Sequence, residues 1–295
     1  MPQKARTLEV YRLTISGLPE GISYNQLFKK IIKIIPEDQK YFIINSKHYS
    51  LAKCKVNKED DSLELQFTSY KEGNRPDVLN TETNTIQDNP LPLNLESIEY
   101  THALGCPKKD RYLLILERNS QGIWPNTVAK LIELICKKYS MYLFEKRLRE
   151  EIIVNLEPVP GSSFQEKVKK LKRITKATLR IVKPNPCWDD LENELGDLSD
   201  KSNARMIEVT TSAPRGKSLK KKDGLVHYIL DLLAKKQLDR AVIEGRTEDK
   251  TKEKYTTTEE SVKEQVSISL DDKGQVNSNE IYNEMGILKT MEWLD

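Results

Sequence analysis

The chain opens on a strand pattern. Leu8, Val10, Leu13 and Ile15 mark LEVYRLTIS as a strand, and the Gly17–Gly21 stretch breaks it. The period then changes. In SYNQLFKKIIKII, Leu27, Ile31 and Ile34/Ile35 recur at helical spacing, Ser23 is placed to cap, and Pro36 ends the helix. KYFIINSKHYSLAKCKVNKEDDSLELQFTSYKEG reads as two or three strands with a charged turn at Asn57–Asp61. GNRPDVLNTETNTIQDNPLPLN is rich in Asn, Thr, Asp and Pro, and reads as a long surface connection. RYLLILERN is the clearest buried strand. After Gly122 and Pro125, NTVAKLIELICKKY predicts a helix with Val128, Leu131, Ile132 and Ile135 on one face. These elements predict an N-terminal α+β domain over residues 1–148.

A second segment begins with EIIVNLEPVPG. SFQE has the form of a capping box, with Ser163 as cap and Glu166 reaching back. Phe164, Val168, Leu171 and Ile174 form the apolar stripe of that helix. ATLRIVK follows as a strand, stopped by Pro184 and Pro186. CWDDLENELGDL predicts an acidic helix with Trp188, Leu191, Leu195 and Leu198 inward. RMIEVTT is a strand and LVHYILDLLAKKQL a helix. RAVIEGRT and KYTTTEE flank a charged turn as a hairpin, and VSISL is another strand. The closing NSNEIYNEMGILKTMEWLD predicts a helix lined by Ile281, Met285, Leu288 and Met291. The alternation of strands and helices predicts a C-terminal layered α/β domain over residues 149–295, and the fold class is α+β with two mixed domains.

Composition agrees with this division. A chain of 295 residues suits two domains. Hydrophobic residues make up 37% and charged residues 32%, yet the apolar positions are patterned, which a folded core requires. No apolar run reaches the roughly 18 residues of a spanning helix. MPQKARTLEV has no apolar stretch before a small-residue cleavage site, so no signal peptide is expected. Cys54, Cys106, Cys136 and Cys187 are far apart and form no CxxC pair. Free thiols and a cytoplasmic location are expected.

Most chemical motifs are absent from the sequence. It has no GxGxxG and no GxxxxGK[ST], so no phosphate-cradling loop is expected. His48, His102 and His227 pair with no other ligand at metal-binding spacing, so neither a metal nor a cofactor is expected. His102 lies near Cys106 in YTHALGC, which raises a Cys–His pair against an ordinary histidine at a strand end. EGRTEDK places Glu244, Glu248, Asp249 and Lys250 beside a strand. That loosely matches the carboxylates and lysine of a Mg²⁺-dependent nuclease, and equally a solvated hairpin tip.

Charge is the distinctive feature. The net charge is only +3, yet Phe164–Lys176 holds six bases and one acid: Lys167, Lys169, Lys170, Lys172, Arg173 and Lys176 against Glu166. APRGKSLKKKDG adds Arg215, Lys217, Lys220, Lys221 and Lys222, while the helix between the clusters is acidic at Asp189, Asp190, Glu192, Glu194 and Asp197. Charge is therefore segregated by element. Converging basic faces would neutralise several phosphates and release their counterions. The clusters lack interleaved aromatics, which disfavours a base-stacking platform and suits contacts to a duplex backbone. The competing reading is a solvated lysine-rich face, or one paired with its acidic neighbour.

The order of YLLILERN, FQEKVKKLKRITKATLRIVKPNP, the Lys-rich loop with its helix, the Gly-bearing hairpin and VSISL resembles a bacterial family of unknown function, the one numbered forty-seven forty-seven. That family is similar in organisation to the phage exclusion protein RexA and the B component of the Kiwa system. The resemblance implies duplex DNA binding in anti-phage defence or phage exclusion, and a homodimer; it carries over no catalytic residue. The leading expectation is therefore a non-enzymatic, sequence-independent duplex DNA-binding protein that uses the eleven basic residues named above. The second is a protein-interaction subunit docking through the acidic helix Asp189–Asp197 and ILKTMEWLD, with Met285, Leu288, Met291 and Trp293 as its apolar patch. The third is a nuclease using Glu244 and Glu248.

Overall fold

The computed structural model describes residues 2–36, 40–73, 77–92, 95–108, 111–145, 151–182, 202, 204 and 206–291. Among these, six helices and fourteen strands form three sheets, an α+β fold. In chain order they are β1 (Gln3–Ser16), α1 (Tyr24–Ile34), β2 (Phe42–Ile44), β3 (Lys47–Val56), β4 (Leu63–Tyr70), β5 (Val78–Asn80), β6 (Thr85–Gln87), β7 (Glu99–Pro107) and β8 (Tyr112–Arg118). Next come α2 (Pro125–Lys138), α3 (Ser140–Phe144), β9 (Ile153–Pro158), α4 (Ser162–Lys170), β10 (Arg173–Val182) and β11 (Met206–Ser212). The rest are α5 (Gly224–Ala234), β12 (Arg240–Arg246), β13 (Lys252–Thr256), β14 (Lys263–Ser269) and α6 (Ser278–Lys289).

The large sheet runs β14-β1-β8-β7-β4-β3-β2, with β9 beside β1. β1 is 14 residues long, which lets one strand serve two partners along one edge. β14 pairs with Gln3–Glu9, and β9 pairs with Tyr11–Ser16. Alternation splits β1 between two cores. Tyr11, Leu13 and Ile15 pack with Leu27 and Ile31 of α1 and with Val128, Leu131, Ile132 and Ile135 of α2. Leu8 and Val10 face the other way and join Leu113 and Ile115 of β8 against Ile281, Met285 and Leu288 of α6. Burial on both faces explains why YLLIL is apolar throughout instead of alternating. Each such fully buried side chain contributes about 1.5–3 kcal/mol.

The small sheet runs β11-β10-β12-β13, all antiparallel. α4 and α5 cover one face, where Phe164, Val168, Ala177, Leu179, Ile181, Val226, Ile229 and Ile243 are buried together. The opposite face carries the polar half of each strand, as a one-sided antiparallel sheet does.

The sheets do not divide at residue 148. β9, β14 and α6 all follow that point and all belong to the large sheet, while the small sheet spans only 173–256. The small sheet is thus inserted between two strands that both return to β1. Two local expectations also change. Ser163 does not cap α4: Gly161 is the N-cap, no side chain caps it, and Ser163 Oγ donates to Glu260 at 3.0 Å. The stretch expected as a plain connection carries the β5–β6 hairpin. At α1 the expected cap is present, with Ser23 and Gln26 completing a capping box. The acidic helix at 187–198, the Pro184 and Pro186 stop, and Trp293 lie outside the described residues. No helix among the described residues is long and apolar enough to cross a membrane.

Candidate nucleic-acid interface

Five pieces of chain meet at one end of the small sheet. α4 ends there at its cap Leu171, and the Lys172 N–H donates to the Arg246 carbonyl at 2.9 Å. β10 begins there with Arg173, β12 ends there with Arg246, and β13 begins with Lys252. The β11–α5 loop folds over the start of β10. Leu219 N–H donates to the Ile174 carbonyl at 2.9 Å, Ile174 N–H to Ser218 Oγ at 2.9 Å, and Arg173 Nε to the Lys217 carbonyl at 2.7 Å. Lys221 Nζ donates to the Lys169 carbonyl at 2.8 Å across 52 positions of sequence. The two basic clusters are therefore neighbours in the fold.

Cross-strand pairing adds cations from elsewhere. Arg173 is the register partner of Arg246, and Arg246 is the register partner of Lys252. Directly opposed residues share a face about 4.5–5.5 Å apart at Cα. Three cations thus form one row across three adjacent strands. Among the described residues none of the three is ion-paired to a carboxylate. The next row holds Lys176, Glu244 and Lys254, and the one after it Thr178, Val242 and Thr256. Charge is neutralised toward the far end, where Arg180 meets Glu208 at 2.6 Å and Arg240 meets Glu157 at 2.8 Å. Gly245 makes the close pairing possible. A Cβ there would stand 2.5 Å from the Arg173 carbonyl oxygen.

The eleven expected residues divide by environment. Lys169, Lys170, Arg215, Lys217 and Lys222 are exposed, and Lys176 and Lys221 are half-buried. Lys172 pairs with Glu248 at 2.9 Å and Lys220 with Asp223 at 3.7 Å, both in solvent. Exposed pairs of this kind contribute about 0–1 kcal/mol and yield readily to a competing anion. Lys167 is drawn off to the side. It meets Glu260 at 2.6 Å and lies over the Tyr255 ring at 5.8 Å, and the Glu260 hydrogen bond raises its pKa. Lys167, Lys169 and Lys170 also occupy the last turn of α4, where cations offset the helix dipole. That structural role accounts for the α4 lysines and leaves Arg246 and Lys252 without an explanation.

Arg246, Lys252 and Lys254 belong to neither basic cluster of the sequence. Alternation in RAVIEGR assigns Arg246 to the open face, but only the β10–β12–β13 register shows that Arg173 and Lys252 flank it.

The other candidates are placed as follows. Cys106 does not meet His102: its thiol donates to the Leu104 carbonyl at 3.6 Å, and burial pushes its pKa up to about 12. His102 is joined instead to Glu117 and Ser278. Glu244 lies on β12, Glu248 is paired with Lys172, and Asp249 accepts from Thr247 and Thr251. No group of three His, Cys, Asp or Glu that could hold a metal ion occurs among the described residues. Met285 and Leu288 are buried against the large sheet and Met291 packs on the same core, so this apolar set is used within the chain.

The molecule is thus an α+β protein of two main antiparallel sheets and a two-stranded hairpin, with a concentrated basic end on the four-stranded sheet. Over residues 6–286 its sequence matches the family described as a domain of unknown function, DUF4747, and the chain belongs to that family. No curated protein matches it.

Proposed function

We propose that the chain binds duplex DNA through the phosphate backbone, at the end of the small sheet where α4, the 213–222 loop, β10, β12 and β13 meet. The observation that carries this is the Arg173–Arg246–Lys252 row. Like charges directly opposed across strands are destabilising by several tenths of a kcal/mol each. A row of three is sustained against that cost when an anionic partner occupies it. Lys169, Lys170, Lys217 and Lys222 extend the same surface with exposed ammonium groups.

The contacts on this surface are point charges and flexible side chains. They position a backbone and do not read base edges. The organisational likeness to RexA and the Kiwa B component supports a cytoplasmic role in the response to phage, with DNA engagement as the trigger or scaffold. The nuclease reading has less support, since Glu248 and Asp249 are tied to Lys172 and to threonines.

The test is fluorescence anisotropy with a labelled duplex of about 30 base pairs over a salt series, with and without Mg²⁺. Binding that weakens log-linearly with salt, at a slope of about −0.9 per phosphate contacted, is expected. No binding at low salt overturns the reading, and shortening of the DNA only with Mg²⁺ replaces it with the nuclease.

A further inference from the structure

The side of the large sheet that faces α6 carries a line of polar side chains within an apolar layer. Gln66 of β4 and His102 of β7 are register partners, and Glu117 of β8 stands beyond His102. His102 and Glu117 are each 1% exposed. Glu117 Oε2 accepts the His102 backbone N–H at 3.0 Å and lies 2.8 Å from His102 Nδ1. Its other oxygen is 2.6 Å from Arg6 Nε, a close ion pair whose N–H is not aligned for a hydrogen bond. With Glu117 as acceptor, a neutral His102 carries its proton on Nδ1 and presents the Nε2 lone pair to Ser278. Nε2 lies 2.9 Å from Ser278 Oγ, the first residue of α6 and 176 positions away in sequence. Hydroxyl, imidazole and carboxylate are therefore in the spatial order of nucleophile, base and orienting group. Ser278, His102, Gln66 and Arg6 line one cleft of about 500 Å³, whose remaining wall is mostly polar.

We propose that Ser278 and His102, positioned by Glu117, form an acyl-transfer centre that hydrolyses a short ester of a polar alcohol. Ser278 Oγ bonds to the carbonyl carbon while its proton passes to His102 Nε2, and the carbonyl π pair moves onto oxygen. The Gln66 amide nitrogen, 3.5 Å from Ser278 Oγ and 3.3 Å from His102 Nε2, is the side-chain donor placed for that oxyanion. Collapse breaks the bond to the alcohol, which leaves with the proton from His102. Water then gives its proton to His102 and its oxygen to the acyl carbon. The acyl–Ser278 bond breaks, Ser278 regains the proton, and the carboxylic acid departs. The cleft volume is that of a small-molecule site, and its polar wall suits a polar leaving group. Triads are recognised by geometry and not by local sequence, so VNSNE around Ser278 needs no GxSxG signature.

A histidine satisfied by a helix hydroxyl would show the same hydrogen bonds and no reactivity, and a fluorophosphonate probe separates the two cases. The full chain is treated with the probe and the modified peptide mapped by mass spectrometry, with p-nitrophenyl acetate hydrolysis followed in parallel. Labelling of Ser278 in the native protein is expected, lost on heat denaturation and in Ser278→Ala. His102→Gln lowers the labelling rate by about 10²-fold or more. Glu117→Gln changes the pH profile of labelling, which a purely structural role would leave in place. Because substitution of the buried His102 or Glu117 can disturb folding, the native-versus-denatured comparison and Ser278→Ala stand without them. Ser278 labelling no faster in native than in denatured protein overturns the proposal. So does an unchanged rate in a His102→Gln protein that keeps the wild-type thermal transition.

Discussion

Arg12 of β1 and Asp239, one residue ahead of β12, form an ion pair buried between the large and small sheets. Their neighbours repeat the contact with the charges reversed: Glu157, the register partner of Arg12 on β9, meets Arg240 at 2.8 Å. The insertion of the small sheet is thus anchored by four charges from two adjacent pairs. Removing one partner of a buried pair leaves a bare charge and costs about 3–5 kcal/mol, whereas replacing both by apolar groups is often neutral. Arg12→Met is therefore expected to destabilise by about that amount, and Arg12→Met with Asp239→Leu to recover most of it. Urea denaturation of both singles and the double checks this; simple additivity would show that the two side chains are not coupled.

The interface predicts different behaviour for two basic residues, an arginine and a lysine. Arg246 sits in the unpaired row, while Lys167 is held by Glu260. Arg246→Ala is expected to weaken DNA binding for all duplex sequences alike and to reduce the salt slope by about 0.9, one phosphate contact. Lys167→Ala is expected to leave both unchanged. Anisotropy titrations at several salt concentrations measure the two slopes. Equal losses in both variants would move the interface onto α4 as a whole.

Much of the architecture was readable because burial imposes period. The α1 and α2 stripes, the β12–β13 hairpin and the helix at Ile281–Leu288 follow from spacing alone. What spacing does not convey is partnership. VSISL reads as a strand, but nothing local says that it returns across the chain to pair Arg6 with Val266. The basic clusters were visible as charge runs, while Arg246 and Lys252 joined them only through register. His102 and Cys106 lie on one short strand, which invites a Cys–His reading from local sequence. The hydroxyl that actually meets His102 comes from a helix start 176 positions away, and no sequence window contains both.

Gly245 tests whether the cationic row depends on close strand approach. Its missing side chain leaves room for the Arg173 carbonyl, and a Cβ would stand 2.5 Å from that oxygen and 3.0 Å from Leu171 Cδ1. The first obstacle is backbone, which cannot swing away. Gly245→Ala is expected to cost about 1–3 kcal/mol by overpacking, and to weaken DNA binding by parting β10 from β12 beside Arg173 and Arg246. Thermal denaturation and the salt-series titration read the two effects. A variant with normal stability and normal binding would show that the row tolerates displacement.

Acid should release α6 before the rest of the large sheet. Two carboxylates fasten this helix. At its C-terminal end Lys289 bonds to Asp60, which also accepts from the Ser62 N–H at 2.9 Å and hydroxyl at 2.6 Å. Burial pulls the Asp60 pKa upward, but these bonds outweigh it and bring it from 3.8 down to about 2. At the N-terminal end Glu280 accepts from the Ser269 hydroxyl and N–H of β14, and those bonds lower its pKa too. A carboxylate with a depressed folded pKa stabilises the native state above its unfolded value and loses that contribution as pH falls toward the folded one. For Asp60 the window runs from about 4 to about 2. Hydrogen exchange of peptides covering 278–289 should accelerate across that window relative to β7 and β8. Asp60→Asn should remove much of the pH dependence and raise the exchange rate at neutral pH. Exchange that rises equally in α6 and in the central strands would mean that the helix unfolds only with the whole sheet.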